Sequence, residues 1–385
     1  MKTERKVLMK YIINGKIILK DRVVENKALA YDDKILGLVD TVPEGSKVID
    51  AKGGFVSPGL IDVHIHGYYG LDVCDGDPEE LKTIAGGLVK NGVTAFLPTT
   101  MTVAKETIVK SLEAIRSVMK KSKTWKGSTI LGAHAEGPFI NPKKKGAQEE
   151  RFILKPDADF VLEYKDVIKY ITLAPEMDEG FEAIKKIASD SDVVMSMGHT
   201  DANYDTAYAS VDAGIKSTTH LFNAMSALAH RNPGVVGASF ARDVYAELIV
   251  DTYHVNKALF PIVMKQKGDK LIFITDCLPA GGLPEGEYTL GGQKVIYRDN
   301  LCKLPDGTIA GSVLKLNKGV WNVYTNTDAP IWECVKCASL NPATCLGIND
   351  KKGSIEVGKD ADIIITDNEF NVVKTIIGGT VRYEA

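Results

Sequence analysis

The stretch Pro58-Gly-Leu-Ile-Asp-Val-His-Ile-His66 decides the reading of this chain. It is an apolar run that ends in two histidines one residue apart, the pattern of a buried strand. Residues i and i+2 of a strand point to the same side. His64 and His66 can therefore present two imidazoles to one point at the strand's carboxyl end. A His-x-His in an ordinary loop would look the same, so the reading turns on what surrounds it.

What surrounds it is an alternation. Strand patterns recur at 60–63, 94–97, 129–133, 171–174, 193–197, 217–221, 246–250 and 271–275. Helical patterns lie between most of them, at about 77–92, 104–121, 179–189, 204–213 and 256–266. Asp77 ahead of Pro78, Glu79 and Glu80 is a helix start, with a capping carboxylate and acids in the first turn. Ile108, Leu112, Ile115 and Met119 recur at helical spacing. Alternating strands and helices belong to the α/β class with a parallel sheet. Units of this kind repeated over roughly 250 residues predict a (β/α)8 barrel.

The two ends of the chain have a different texture. Residues from about 7 to 57 carry short strand patterns, with Asn14-Gly15 reading as a hairpin turn. Strand patterns return at 361–366, 372–377 and 380–383. The ends are expected to pair into one small β-domain, with boundaries at 1–57 and 351–385, beside a barrel spanning 58–350.

Composition sets bounds on function. The chain has 385 residues, of which 44% are hydrophobic and 25% charged, as in an ordinary globular protein with room for two domains. A net charge of −3 gives no electrostatic case for nucleic acid or an acidic membrane. The basic stretch from Met1 to Lys10 lacks the apolar run of a signal peptide. No apolar run reaches the length of a membrane span. The six cysteines are scattered apart from Cys334-x-x-Cys337, which in a helical context reads as core thiols. A reduced, cytoplasmic protein is expected.

All seven histidines lie between residues 64 and 254, most of them at or just after a strand pattern. Barrel strand ends converge on one face. His64, His66, His199 and His220 would meet there, together with Glu136 from Leu131-Gly-Ala-His-Ala-Glu136. Imidazoles and a carboxylate suit zinc, iron or a similar divalent cation. Asp276 ends the last strand pattern in Phe273-Ile-Thr-Asp276 and adds a further carboxylate. Taken singly, each histidine reads equally as a cap on a backbone carbonyl, and Asp276 as a helix cap. Their recurrence at five strand ends favours a metal site.

These motifs resemble the amidohydrolase superfamily. The general marks are Val56-Ser-Pro-Gly-Leu-Ile-Asp-Val-His-Ile-His66 and Gly353-Ser-Ile-Glu-Val-Gly-Lys-Asp-Ala-Asp362. More specific are His134-Ala-Glu-Gly-Pro-Phe-Ile-Asn-Pro142, Lys145-Gly-Ala-Gln148, Met197-Gly-His-Thr200 and the block from His220 through His230 to Gly237. Asp251-Thr-Tyr-His254, Thr275-Asp276 and Ala310-Gly-Ser312 complete the set. They match the branch that deacetylates phosphorylated N-acetyl amino sugars, over essentially the whole chain and in the expected order.

The resemblance implies a metal-dependent hydrolase barrel flanked by a β-sandwich built from both chain ends, and a homodimer. It implies Glu136, His199 and His220 as the main metal ligands and His64 and His66 as a second position, so one or two ions, zinc or iron. It implies Asp276 as the proton-transfer residue and His254 as the group that stabilises the oxyanion. Ala147, Asn223, Ala224, His254, Ile309, Ala310 and Gly311 match substrate-contacting positions. Arg231 matches an arginine that reaches the substrate phosphate in the neighbouring subunit. Gln148 stands where some members carry histidine. The expected substrate is N-acetylglucosamine 6-phosphate, with its galactosamine counterpart as the alternative. Another amidohydrolase activity, such as cyclic-amide hydrolysis or deamination, is disfavoured because Glu136 takes the bridging place of a modified lysine. A scaffold without catalysis is disfavoured because no ligand is lost.

Overall fold

The computed structural model describes residues 9–385. Most of the basic N-terminal stretch thus lies outside the described residues. The centre of the fold is a parallel barrel. Its strands, first to eighth, are Leu60–Ile65, Val93–Thr100, Ala133–Glu136, Ile168–Leu173, Val194–Met197, Ser217–Thr218, Tyr245–Ile249 and Leu271–Ile274. Each pairs in parallel with the next. The first and eighth close the circle: the Asp276 N–H donates to the His64 carbonyl at 2.9 Å and the His66 N–H to the Cys277 carbonyl at 2.8 Å. The seam of the barrel therefore runs through the candidate site.

The strands are buried on both faces, so several of them, such as Leu271–Ile274, are continuous apolar runs rather than alternating ones. Ile61, Val63, Ala95, Leu97, Tyr170, Val194, Ile249, Ile272 and Ile274 pack together in one cluster. Their neighbours Phe96, Ile171, Leu173, Met195, Met197, Leu248 and Phe273 belong to the larger core shared with the helices. This two-residue period assigns the first set to the barrel interior and the second to its outer layer. The third strand is preceded by the short strand Thr129–Ile130. Gly132 stands between the two at φ 159°, and a Cβ there would lie 2.7 Å from the Val167 carbonyl oxygen.

The helices follow the expected signals. Pro78–Leu88 is capped by Asp77, whose side chain accepts from the N–H groups of Glu79 and Glu80. Lys105–Ser122 buries Ile108, Leu112 and Ile115 against the barrel. Tyr204–Ala213 forms as read. Two starts differ from expectation. The helix read at 179 begins as Glu182–Asp190, because Gly180 at φ 65° interrupts it. The helix read at 256 begins as Phe260–Lys267, where Pro261 occupies the first turn.

The chain ends share a six-stranded sheet. In spatial order it runs Thr380–Glu384, Val372–Ile377, Ile363–Thr366, Phe55–Pro58, Lys16–Ile18 and Val23–Val24. A four-stranded sheet of Ile35–Val39, Ala28–Tyr31, Lys10–Ile13 and Lys47–Asp50 lies against it. Ile12, Leu29 and Ile35 from one sheet and Ile17, Val56, Ile363, Ile365 and Ile376 from the other form a separate core.

The hairpin read at Asn14-Gly15 does not form. The strands on either side enter different sheets. The Gly53 N–H donates to the Asn14 carbonyl at 2.6 Å and the Lys16 N–H to the Gly54 carbonyl at 2.9 Å, so the turn is held by the 51–54 loop rather than by its own flanks.

A further element was not read in the sequence. After the eighth barrel strand, Gly286–Leu290, Gln293–Arg298 and Leu301–Lys303 form a small antiparallel sheet. Its tip, Gly291-Gly292, is tied down by the Gly291 N–H to Asp72 Oδ2 at 2.8 Å and by Gln293 Nε2 to the Ala147 carbonyl at 2.7 Å. These contacts hold it against the carboxyl ends of the barrel strands. Among the described residues no helix is long and apolar enough to cross a membrane. Cys334 and Cys337 are free, buried thiols.

Candidate metal and active centre

Four imidazoles and two carboxylates converge at the carboxyl end of the barrel. His64 Nε2 and His66 Nε2 lie 3.2 Å apart, and His199 Nε2 and His220 Nε2 3.1 Å apart. Glu136 joins the two pairs. Its Oε1 lies 3.2 Å from His199 Nε2, 3.0 Å from His220 Nε2 and 3.3 Å from His64 Nε2. Its Oε2 lies 3.3 Å from His66 Nε2. Asp276 Oδ1 stands 3.3 Å from His66 Nε2 and 3.6 Å from His64 Nε2.

The orientation of each imidazole is fixed from behind. His66 Nδ1 donates to the Thr99 carbonyl at 3.2 Å, His199 Nδ1 to the Lys144 carbonyl at 2.8 Å and His220 Nδ1 to the Asn223 carbonyl at 3.1 Å. A carbonyl only accepts, so Nδ1 carries the proton and the Nε2 lone pair faces the centre. His64 Nδ1 lies 3.0 Å from Glu247 Oε2.

Bonds of about 2.0–2.1 Å to one cation place neighbouring donor atoms roughly 3 Å apart. Two groups have that spacing among their own donors: Glu136, His199 and His220, and His64, His66 and Asp276. All six residues are buried, and nitrogen lone pairs at such separations repel unless a proton or a cation lies between them. The residues present fit a divalent cation in either group.

The electrostatics point the same way. Burial alone would push the His66 pKa down, but hydrogen bonding and charge from Asp276 and Glu136 push it up to about 9. His64 is raised against the same burial by the charges of Glu136, Glu247 and Asp276. Glu136 is held well below the usual carboxylate range despite burial, chiefly by His64 and His199. Asp276 is held low against burial by His64 and His66. The acids stay ionised, and positive charge is drawn in to match them.

Strand ends build this geometry by turning sharply. His199 has φ 47°, His220 φ 30° and Asp276 φ 48°, all in the left-handed region that non-glycine residues seldom occupy. Each stands just past the end of its strand, where the turn re-aims the side chain.

Above the centre lies a pocket of ≈ 270 Å³. His66, Glu136, His199, His220 and Asp276 form its floor. Ala147, Asn223, Ala224, His254, Ile309 and Gly311, all singled out in the sequence, line its walls. Ala310 does not; it is fully buried behind them. Arg231 does not either, and it is exposed on the loop after His220. His64 is sealed beneath the floor. His134 stays out of the centre, because its Nδ1 lies 2.9 Å from the Val63 carbonyl and its Nε2 2.8 Å from Thr172 Oγ1.

His254 Nδ1 is 2.7 Å from Asp251 Oδ2, which turns the other ring nitrogen towards the pocket. Burial works against its charged form, but the hydrogen bond and charge of Asp251, with Asp276 beyond, raise its pKa above the ordinary histidine value. Gln148 accepts from the Thr102 N–H at 2.7 Å and donates to Glu136 Oε2, so it braces that carboxylate. Met101, Gly146, Leu290 and Thr308 also line the pocket and were missed in the sequence. Leu290 carried one signal, the Gly291-Gly292 pair that follows it and marks a hairpin tip.

The amidohydrolase family model matches residues 55–382. N-acetylglucosamine-6-phosphate deacetylase of Bacillus subtilis (strain 168) is 36% identical over 95% of both chains. N-acetylgalactosamine-6-phosphate deacetylase of Escherichia coli O157:H7 is 30% identical over 94% of this chain and 97% of its own. The crystal structure of N-acetylglucosamine-6-phosphate deacetylase from Pasteurella multocida superposes with a TM-score of 0.93 at 32% identity, covering 98% of this chain and all of that one. With sequence, barrel topology and closing sheets all matched from end to end, this chain belongs to the amidohydrolase family, in the group formed by the N-acetylglucosamine-6-phosphate deacetylases.

Proposed function

We propose that the protein hydrolyses the acetamide of N-acetylglucosamine 6-phosphate to glucosamine 6-phosphate and acetate, a step of amino-sugar breakdown or cell-wall recycling. The observation that carries this reading is a pocket whose floor is the Glu136, His199 and His220 group, with Asp276 at one side and His254 above. We assign Glu136, His199 and His220 to one divalent cation and His64 and His66, with Asp276, to a second, zinc or iron in each case. A cation held there lowers the pKa of water towards ~7 and polarises a carbonyl.

The chain's own residues supply the rest. Asp276, held ionised, accepts the water proton as the new bond to the acyl carbon forms. It then passes a proton to the sugar nitrogen as the C–N bond breaks, so that an amine departs rather than an unstable anion. His254, with Nδ1 committed to Asp251, donates from Nε2 to the oxygen that gains charge, a contact worth about 3 kcal/mol. Asn223, Ala224, Ala147, Ile309 and Gly311 hold the sugar, with Ala310 buried behind them. Arg231 binds the phosphate of a substrate in the neighbouring subunit of a homodimer, since a guanidinium offers a fork to phosphate oxygens. We assign residues 1–57 and 351–385 to the β-domain, 58–350 to the barrel, and the protein to the cytoplasm, where free thiols such as its six cysteines persist.

The relative named for N-acetylgalactosamine 6-phosphate supports a second reading, in which that sugar is the substrate. The test is acetate release by the purified, metal-loaded protein from both phosphorylated sugars and from unphosphorylated N-acetylglucosamine. Turnover of N-acetylglucosamine 6-phosphate in preference to the other two is the expected result. Preference for the galactosamine sugar favours the second reading. No release from any of them overturns both.

A further inference from the structure

Of the four imidazoles at the centre, three are braced by neutral backbone carbonyls, and only His64 is braced by a carboxylate. That carboxylate is Glu247, on the seventh barrel strand, with no exposure to solvent. Its Oε2 accepts from His64 Nδ1 at 3.0 Å and from the His220 backbone N–H at 3.2 Å. Its Oε1 has no hydrogen-bond partner among the described residues. Glu247, His64 and His134 bring ligand atoms close together, but both His134 ring nitrogens are already engaged, so this group is not a separate cation position.

A buried carboxylate with an oxygen left bare is costly. A neutral side chain could cap the His220 N–H without that cost. A carboxylate behind an imidazole does something a carbonyl does not: it fixes the ring with Nε2 free and makes that nitrogen a stronger donor to a cation. The one imidazole treated in this way is the deepest of the four and belongs to the group with Asp276 rather than Glu136.

We propose that Glu247 is a positioning residue whose task is to make the His64, His66 and Asp276 group hold a divalent cation of its own. It orients His64 and, through the His220 N–H, ties the two donor groups to one carboxylate. This rests on the reading that both groups take cations. Cation uptake is measured without substrate, so its failure is distinguishable from a failure to release acetate.

The experiment uses the full chain, stripped with a chelator and titrated with Zn²⁺ against a competing dye. The unaltered protein is expected to bind two ions per chain. Glu247→Gln keeps the shape and loses the charge. It is expected to bind the weaker ion about 10- to 100-fold less tightly, with the tighter ion changed by less than about threefold. In a His64→Ala background the same substitution is expected to leave the remaining ion's affinity unaltered. Uptake of a single ion by the unaltered chain overturns the proposal. So does equal weakening of both ions with a matching loss of thermal stability, or no weakening of either. Should Glu247→Gln not fold, zinc-loaded protein with ¹⁵N-histidine tests the same point. A strongly downfield Nδ1 proton, absent from His64→Ala, is expected, and its absence from the unaltered chain overturns the proposal.

Discussion

Asp276→Asn tests proton transfer while leaving the Glu136, His199 and His220 position intact. Asparagine keeps the volume of the side chain and its place past the eighth strand, but it neither takes up nor returns a proton at neutral pH. The structure limits the damage to the cation positions. Asp276 Oδ1 stands 3.3 Å and 3.6 Å from His66 and His64, within the second donor group, and is not one of the Glu136, His199 and His220 donors. At least that first ion should stay. Loss of a group that serves as base and then acid slows turnover by about 10²–10⁴, or roughly 3–5 kcal/mol of barrier. The sugar contacts lie on other walls of the pocket, so KM should change by no more than about threefold. The assay is acetate release with kcat and KM resolved, and metal content measured on the same sample. Turnover within about tenfold of the unaltered protein, with metal retained, would refute the reasoning. So would activity restored by excess metal, since weaker cation binding and not the loss of the proton carrier would then account for the slow turnover.

Three further outcomes are expected. Arg231→Ala should raise KM for the phosphorylated sugar about 10- to 150-fold, the worth of a charge-assisted hydrogen bond of about 1.5–3 kcal/mol, and leave the unphosphorylated sugar unaffected; steady-state kinetics on both sugars checks this. His254 can donate from Nε2 while Nδ1 donates to Asp251 only as the imidazolium, so activity should hold up to its raised pKa and fall as pH rises through it. Asp251→Asn removes the charge that raises that pKa and should move the alkaline limb of kcat to lower pH, read from a pH–rate profile. Gly54→Ala would place a Cβ 1.9 Å from the Thr366 carbonyl oxygen, next to the pairing of Phe55–Pro58 with Ile363–Thr366. It should cost about 3 kcal/mol or more and lower the Tm by several degrees in thermal melts, without altering the metal content of the folded protein.

How much of this was legible in the sequence depends on whether a feature is local. His64 and His66 share a face because a strand has a period of two, and that can be read from spacing. Glu136, His199 and Asp276 each follow a strand pattern and His220 lies near the end of one, so the barrel topology brings them together. Asn14-Gly15 was misread for a physical reason. The pair signals a reversal but not which sheet each flank will join, and here the flanks join different ones. Met101 and Leu290 meet across the pocket only because a hairpin after the eighth strand folds back to the loop after the second. No local pattern encodes that return. Glu247 did leave a trace, one acid inside Tyr245-Ala-Glu-Leu-Ile-Val250. An acid at an inward position of a fully buried strand has to meet a cation or a donor, but the strand alone does not say which.

The left-handed turns at His199, His220 and Asp276 account for another part that a sequence hides. Each such residue costs of order 1–3 kcal/mol, and although histidine and aspartate tolerate the conformation better than most residues, they do not prefer it. It persists only if its surroundings allow no alternative. Here the Gly198 N–H is bound by the Leu173 carbonyl, the Leu221 N–H by the Glu247 carbonyl, and the Asp276 N–H by the His64 carbonyl. Every one of these bonds crosses to a different barrel strand, so each strained residue is gripped by a neighbour rather than by its own segment. Relaxing one turn would break a bond at the rim and swing a donor away from the centre. The closed ring of strands is therefore more than a support for the site. It holds three residues in conformations they would otherwise leave, and their donor atoms stand about 3 Å from their partners only while it does.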